Sequence, residues 1–559
     1  MRRFSGSGRN GAGVLACLGL LAAALAAPAS GQAPRPLPPL APGPGDALTR
    51  ALASGELTEA EYALERARSL FQLARTRRAF GDVDRPGGRD ATLALRDLLL
   101  RKDELTGSDR KLAAALLARP DEGGVPIGNG WTSEEAADSP ACGLNVCVHW
   151  VDEPGDPDAP FPVDDDVNGI PDWVDLTLET FEDVWFQQVD LIEYRAPLDD
   201  SDSPNSGGSD AFDVYLDDLG PDFVFGYCTS DDPDEGTGTF SISAYCVVDN
   251  DYSAAQYGTA HLPEEFLQVT AAHEFNHASQ FAYDYAEDAW LLEGTATNME
   301  ETIYPWIDDN VGFLRGWSPL TKPSQPLDRG GFFDSEYGSW IFWRYLEEKV
   351  AGGDPAIIRK IWERADAAFP GVSADNYSLQ AVAAELRRRG RAFADVFAAF
   401  GAANRTRDYA DASTAGYPST PRTKVWGIGP ARPTVRRKTW RIDHLAARHF
   451  SFVPGRSAPA DGRLRVRIDL PRRGARAALI VLFADGSKTV RVLSRNEKGF
   501  VRRGSRFGRN EVKRVDLVLA NGSTRTRCWR KPTPPTYSCL GRPRDDGQAY
   551  AIRAKLVRR

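Results

Sequence analysis

Beyond residue 46, apolar positions recur at helical spacing. Residues 57–73 repeat Leu, Ala, Tyr and Phe every three to four positions, and Thr58 precedes Glu61 by three, the spacing of a reciprocal helix N-cap. Runs at 93–100 and 112–117 continue the pattern, separated by Gly, Asp and Pro. A small helical module over 46–119 is predicted. The period then changes. Residues 146–151 and 211–216 alternate as strands do, within a stretch, 120–265, that mixes strands and loops. Helical spacing returns after 265 and again at 340–350, 355–367, 379–388 and 392–402. From about residue 441 the texture becomes β. Residues 464–470, 478–483 and 515–520 read as strands, punctuated by Asp485-Gly486 and Asn521-Gly522 turns. The predicted class is α+β, with a helical N-terminal region and a C-terminal β-sandwich.

The ends of the chain add compartment and partners. Arg2, Arg3 and Arg9 precede an apolar run at 14–27, and Ala27-Pro28-Ala29 offers a small-residue cleavage site. Residues 1–29 are therefore expected to be a secretory signal. No later run is long and apolar enough to span a bilayer, so the mature chain is expected to be exported without a transmembrane segment. Removing Cys17 from the seven cysteines leaves an even number, which in an exported chain reads as disulfides. Many pairings are open. Proximity suggests Cys142–Cys147, Cys228–Cys246 and Cys528–Cys539.

Length argues for several domains: a Pro-rich linker and helical, propeptide-like region at 30–120, a central domain at 121–425 and an accessory domain at 432–559. The helical region reads equally as a plain structural subdomain. Residues 431–559 hold 33 Lys/Arg against 9 Asp/Glu, near +24, which leaves about −34 for the rest of a chain of net charge −10. A basic tail of this kind suits an anionic cell-envelope polymer, docking on its own acidic partner domain, or simple solvation. Export makes nucleic acid a poor partner.

The candidate chemistry lies at His273-Glu274-Phe275-Asn276-His277, inside a run that reads as helix to about residue 285. Two histidines four apart project from one helix face, where a single Zn²⁺ takes both imidazoles. Glu274 stands beside them as general base: zinc lowers the pKa of a water and the glutamate takes its proton. A turn at Ala286-Glu287-Asp288 and a second helix bring Glu293 back as third ligand, with Glu300 and Glu301 two turns further along as alternatives.

His-Glu-x-x-His followed by a glutamate on the next helix resembles the gluzincin metallopeptidases. Trp290-Leu291-Leu292-Glu293-Gly294-Thr295-Ala296 is similar to the Trp-x-x-Glu-Gly-x-Ala segment of their aminopeptidase branch. Residues 267–304, with Tyr227-Cys228-Thr229 and Tyr337-Gly338-Ser339-Trp340, resemble a family of secreted bacterial metalloproteases of myxobacterial type, over roughly 45–425. The resemblance implies a zincin-like catalytic domain, zinc on His273, His277 and Glu293, and Glu274 as base. It also suggests Tyr337 as a hydrogen-bond donor to the oxyanion, although the family's Tyr-x-x-Gly spacing is Tyr-Gly here. The fifteen residues between His277 and Glu293 are at the short end of the gluzincin pattern.

A second metal is suggested at 164–175. Asp164, Asp166, Asn168, Asp172 and Asp175 fall at positions 1, 3, 5, 9 and 12 of a calcium loop, Ile170 offers its carbonyl at position 7, and Gly169 permits the turn. The leading expectation is an exported zinc metallopeptidase acting on a peptide or protein. The alternatives are an inactive zinc-bearing cell-envelope binding or adhesion protein, and a zinc hydrolase of another bond.

Overall fold

The computed structural model describes residues 37, 40, 45–85, 91–122, 130–131, 136–137, 139–201, 203–232, 240–330, 335–366, 376–529 and 537–558. The expected signal at 1–29 lies outside them. Among the described residues no helix is long and apolar enough to cross a membrane.

Among the described residues five α-helices, Ala47–Ser54, Glu59–Phe71, Leu73–Phe80, Ala91–Leu99 and Gly107–Leu117, and a short 3₁₀ turn, Lys102–Glu104, form the N-terminal module. The predicted cap is present, with Thr58 N donating to Glu61 Oε2 at 2.8 Å and Glu61 N to Thr58 Oγ1 at 3.2 Å. Helix Ala91–Leu99 is buried at every position, polar Thr92, Arg96 and Asp97 included. An amphipathic surface helix buries one stripe only, so this one lies between two bodies of protein.

The central sheet has five strands in the order Ala141–Cys142, Val146–His149, Phe212–Asp217, Tyr245–Asp249, Gly226–Thr229. The inner pairings are parallel and the outer ones antiparallel. Strands 226–229 and 245–249 are absent from the sequence reading. Both are short, and neither Gly226-Tyr227-Cys228-Thr229 nor Tyr245-Cys246-Val247-Val248 alternates apolar with polar residues. Behind the sheet lie the long helix Pro263–Asp284 and its antiparallel neighbour Ala289–Ile303, followed by Trp340–Tyr345, Ala356–Ala365, Leu379–Arg388 and Phe393–Thr406.

Among the described residues two larger sheets, with a two-stranded ribbon Thr526–Arg527 and Arg542–Pro543 beside them, make the C-terminal part. One has five strands, Lys488–Leu493, Ala475–Phe483, Val512–Asn521, Ala446–Pro454 and Lys424–Ile428; the other has four, Phe500–Arg506, Arg463–Asp469, Gln548–Val557 and Thr434–Ile442. They share an apolar core that includes Phe450, Val466, Leu517 and Ile552. The first strand, Lys424–Ile428, precedes the expected boundary at residue 432. The whole is α+β.

The opposite face of the five-stranded sheet joins the core of the rest of the chain through Ala447, Ile480 and Val518, against helix Phe393–Thr406. Ion pairs Arg476–Asp395 and Lys488–Asp408 lie along this contact, and Arg405–Asp516 crosses it with the base on the helix. Part of the basic charge thus docks on acidic groups of the chain itself. Arg463, Arg465, Arg502, Arg553 and Lys555 stay exposed on the four-stranded sheet.

All three disulfides are those that proximity suggests: Cys142–Cys147, Cys228–Cys246 and Cys528–Cys539. The last anchors a segment that returns to the centre. Cys539 N donates to Asp288 at 2.8 Å, and Asp328 accepts from His444 Nε2 at 2.9 Å and from Ser538 Oγ at 2.7 Å.

Candidate metal centre

Helix Pro263–Asp284 begins with proline at its first position and Glu264 and Glu265 in its first turn, all favourable at a helix N-terminus. Glu265 Oε2 accepts from the Leu262 N–H at 2.9 Å. The helix is buried on nearly all sides from Phe266 to Asp284, so it runs through the protein rather than over it. A turn at 285–288 reverses the chain, and Asp288 opens helix Ala289–Ile303 in extended conformation. The two helices pack antiparallel, which brings Glu293 opposite the histidines. Gly294 makes room for a further neighbour: a Cβ there would lie 2.4 Å from the Trp343 indole nitrogen and 2.5 Å from Ser339 Oγ.

His273, His277 and Glu293 form one of two groups among the described residues whose candidate ligand atoms all lie within 4.8 Å of one another. His273 Nε2 is 3.1 Å from His277 Nε2 and 3.2 Å from Glu293 Oε2, and His277 Nε2 is 3.6 Å from that oxygen. None of the three residues is more than 1% exposed. Their far sides are fixed. His273 Nδ1 donates to Glu300 Oε1 at 2.7 Å, and His277 Nδ1 donates to Gln280 Oε1 at 2.8 Å. Gln280 is itself oriented by donating to Asn276 Oδ1, Thr295 Oγ1 and the Leu292 carbonyl.

With each Nδ1 used as a donor, both Nε2 lone pairs face the Glu293 carboxylate. Three acceptors at such distances repel one another unless a proton or a metal ion lies among them. Without a metal, burial disfavours the His273 imidazolium, but hydrogen bonds to Glu293 and Glu300 more than reverse this and hold it up at about 10. Burial likewise works against the Glu293 carboxylate, and the imidazoles, His277 foremost, hold it down at about 2. Glu293 Oε1 is buried with no hydrogen-bond partner. Two imidazole nitrogens, a carboxylate and preset tautomers fit a divalent metal ion.

Glu274 lies on the side of the sheet edge: a Cβ at Gly226 would come 3.3 Å from Glu274 Cγ. Burial pushes its carboxyl up against the pull of His273, His277 and the Thr92 hydroxyl. Thr92, at the start of helix Ala91–Leu99, donates to Glu274 Oε2 at 2.8 Å and accepts from the Cys228 N–H at 2.9 Å. The N-terminal module therefore covers both Glu274 and the edge strand Gly226–Thr229. Tyr337, in the short helix Ser335–Gly338, stacks nearly parallel to His273, with ring centres 6.0 Å apart, and against Phe313 at 4.9 Å.

The loop at 164–175 is folded around Asn168. Asn168 Nδ2 donates to Asp166 and Asp175, and the Asn168 and Gly169 N–H groups donate to Asp164. Asp172 Oδ1 accepts from Asp165 N, and helix Asp172–Trp185 follows. No three of its carboxylates converge within 4.8 Å, as the ligand atoms of His273, His277 and Glu293 do. The roles of Glu300 and Gln280 in holding the histidines were missed from sequence, although each lies where helix geometry permits it. Compared with known family profiles and with curated proteins, the chain matches none.

Proposed function

We propose that this chain is a zinc-dependent hydrolase of peptide bonds, exported and held closed by its N-terminal module. The observation that carries the reading is the convergence of His273 Nε2, His277 Nε2 and Glu293 Oε2 at 3.1–3.6 Å, each imidazole locked from behind. Tetrahedral ligands at zinc bond lengths stand about 3.4 Å apart, a close match to that triangle. Zinc bound there supplies Lewis acidity toward a carbonyl and toward water.

The remaining work falls to the chain. Glu274 removes a proton from the attacking water and returns it to the leaving amine. The stack on His273 sets Tyr337 beside the site, where its hydroxyl steadies charge developing on the carbonyl oxygen. The Gly226–Thr229 edge beside Glu274 favours an extended peptide over other carbonyl substrates, because an edge strand pairs with extended backbone. In the described form Thr92 takes the Cys228 N–H on that edge.

The test is hydrolysis of an unfolded polypeptide by the full-length chain, before and after limited proteolysis of the module. Cleavage is expected only with zinc present, ending on zinc chelation and returning on zinc addition. Zinc-loaded, proteolysed protein that cuts no polypeptide would contradict the proposal. It would favour the non-catalytic, envelope-binding reading, which the exposed basic sheet face supports.

A further inference from the structure

A second cluster of ligands lies at the far end of the helix that carries Glu293. Glu301 on its last turn, Asp308 in the turn that follows and Asp411 in the loop after helix Phe393–Thr406 bring carboxylate oxygens within 4.8 Å of one another. Glu301 is 1% exposed and Asn310 is 2% exposed. Asn310 Nδ2 donates to Glu301 Oε2 at 3.3 Å, which sets its carboxamide against the cluster. Glu301 Oε1, Asp308 Oδ1, Asp411 Oδ1 and Asn310 Oδ1 are all buried without a hydrogen-bond partner.

Positive charge around this group is thin. Arg344 lies 3.5 Å from Glu301 Oε1, but it also serves Glu347 and Glu348. His261 stands nearest to Asp309 and Glu265. Glu301 is buried and Asp308 and Asp411 are partly so, and three carboxylates against one shared guanidinium repel one another unless protons or a cation join them. The donors are all oxygen, with no imidazole and no thiolate. That set suits a hard cation with six to eight oxygen ligands, and disfavours zinc.

We propose that Glu301, Asp308 and Asp411 form a calcium site, which the Asn310 carboxamide joins through its oxygen once the amide is turned over. It joins the end of helix Ala289–Ile303 to a loop more than a hundred residues away in sequence. Glu300, which holds His273, is the immediate neighbour of Glu301, so the ion braces the support of the histidine cluster. The site does not depend on the zinc reading, and its failure leaves that reading in place.

Terbium luminescence tests it, because aromatic donors stand at the cluster. The Tyr417 hydroxyl donates to Asp411 Oδ2 at 2.7 Å, and the Trp340 indole donates to the Asn310 carbonyl at 3.0 Å. Full-length protein is stripped of divalent ions, resupplied with zinc, loaded with terbium and titrated with calcium. Calcium-displaceable emission is expected, unaffected by equal magnesium. Glu301→Gln and Asp411→Asn should each weaken calcium by about tenfold or more. An Asp164→Asn/Asp166→Asn double variant, which disables the other acidic loop, should keep it. Should Glu301→Gln fail to fold, the half-buried Asp411→Asn carries the test. Emission that calcium cannot displace, or equal calcium affinity in the wild type and both cluster variants, overturns the site; the carboxyls then share protons instead of a cation.

Discussion

Glu274→Gln is expected to keep its zinc and to lose about 10²- to 10⁴-fold in turnover of a polypeptide substrate, the usual contribution of general acid–base catalysis. Glutamine has the shape of glutamate and still accepts a hydrogen bond from Thr92, so the contact seen at 2.8 Å survives and the fold is expected to hold. Glutamine cannot take a proton from water. The expected metal ligands are His273, His277 and Glu293, none of which is altered. The signature is therefore a split between two readouts, metal content unchanged and turnover lost. Equal turnover in the variant would remove Glu274 from the mechanism, and loss of zinc would make it part of the metal cage.

Cutting the chain between Pro120 and Trp131, at an introduced site for a specific protease, is expected to raise turnover by about 10²-fold or more once the freed module is diluted or digested. The module is fastened at several points. Thr92 is bonded to Glu274, Arg96 donates to the Glu287 carbonyl at 2.8 Å, and Tyr245 donates to the carbonyls of Leu117 and Ala118. Arg119, at the end of the module, reaches Asp200, Asp213 and Asp231. While the chain is continuous, the module faces the site at high effective concentration; cutting makes the contact bimolecular. Arg119 lies on the module side of the cut, so its buried ion pairs keep the module seated until it is removed. Equal activity in the intact and the cut, module-free protein would make residues 46–119 an ordinary structural part.

The histidine pair was legible because a helix fixes what lies four residues on, and Glu293 because a short turn and an antiparallel helix return the chain to the same place. Pairing of the cysteines followed from their nearness in sequence, and the C-terminal strands from alternation and Asp-Gly or Asn-Gly turns. Other features have no local signal. Thr92 meets Glu274 across 182 residues, and nothing in its neighbourhood marks it as other than a residue at a helix start. The Glu301, Asp308 and Asp411 cluster is assembled by tertiary packing of distant segments. The edge strand Gly226–Thr229 shows no apolar–polar alternation in its sequence. The convergence of His273, His277 and Glu293 was legible in the sequence; the residues that cover Glu274 were not.

The central claim is that His273, His277 and Glu293 hold zinc. Its most direct test is the metal content of the purified full-length protein by plasma mass spectrometry, beside a His277→Ala variant of matched folding. The account predicts about one zinc per chain in the wild type and its loss in the variant. Absence of zinc from both proteins after purification with zinc present, or equal zinc in the two, would contradict it.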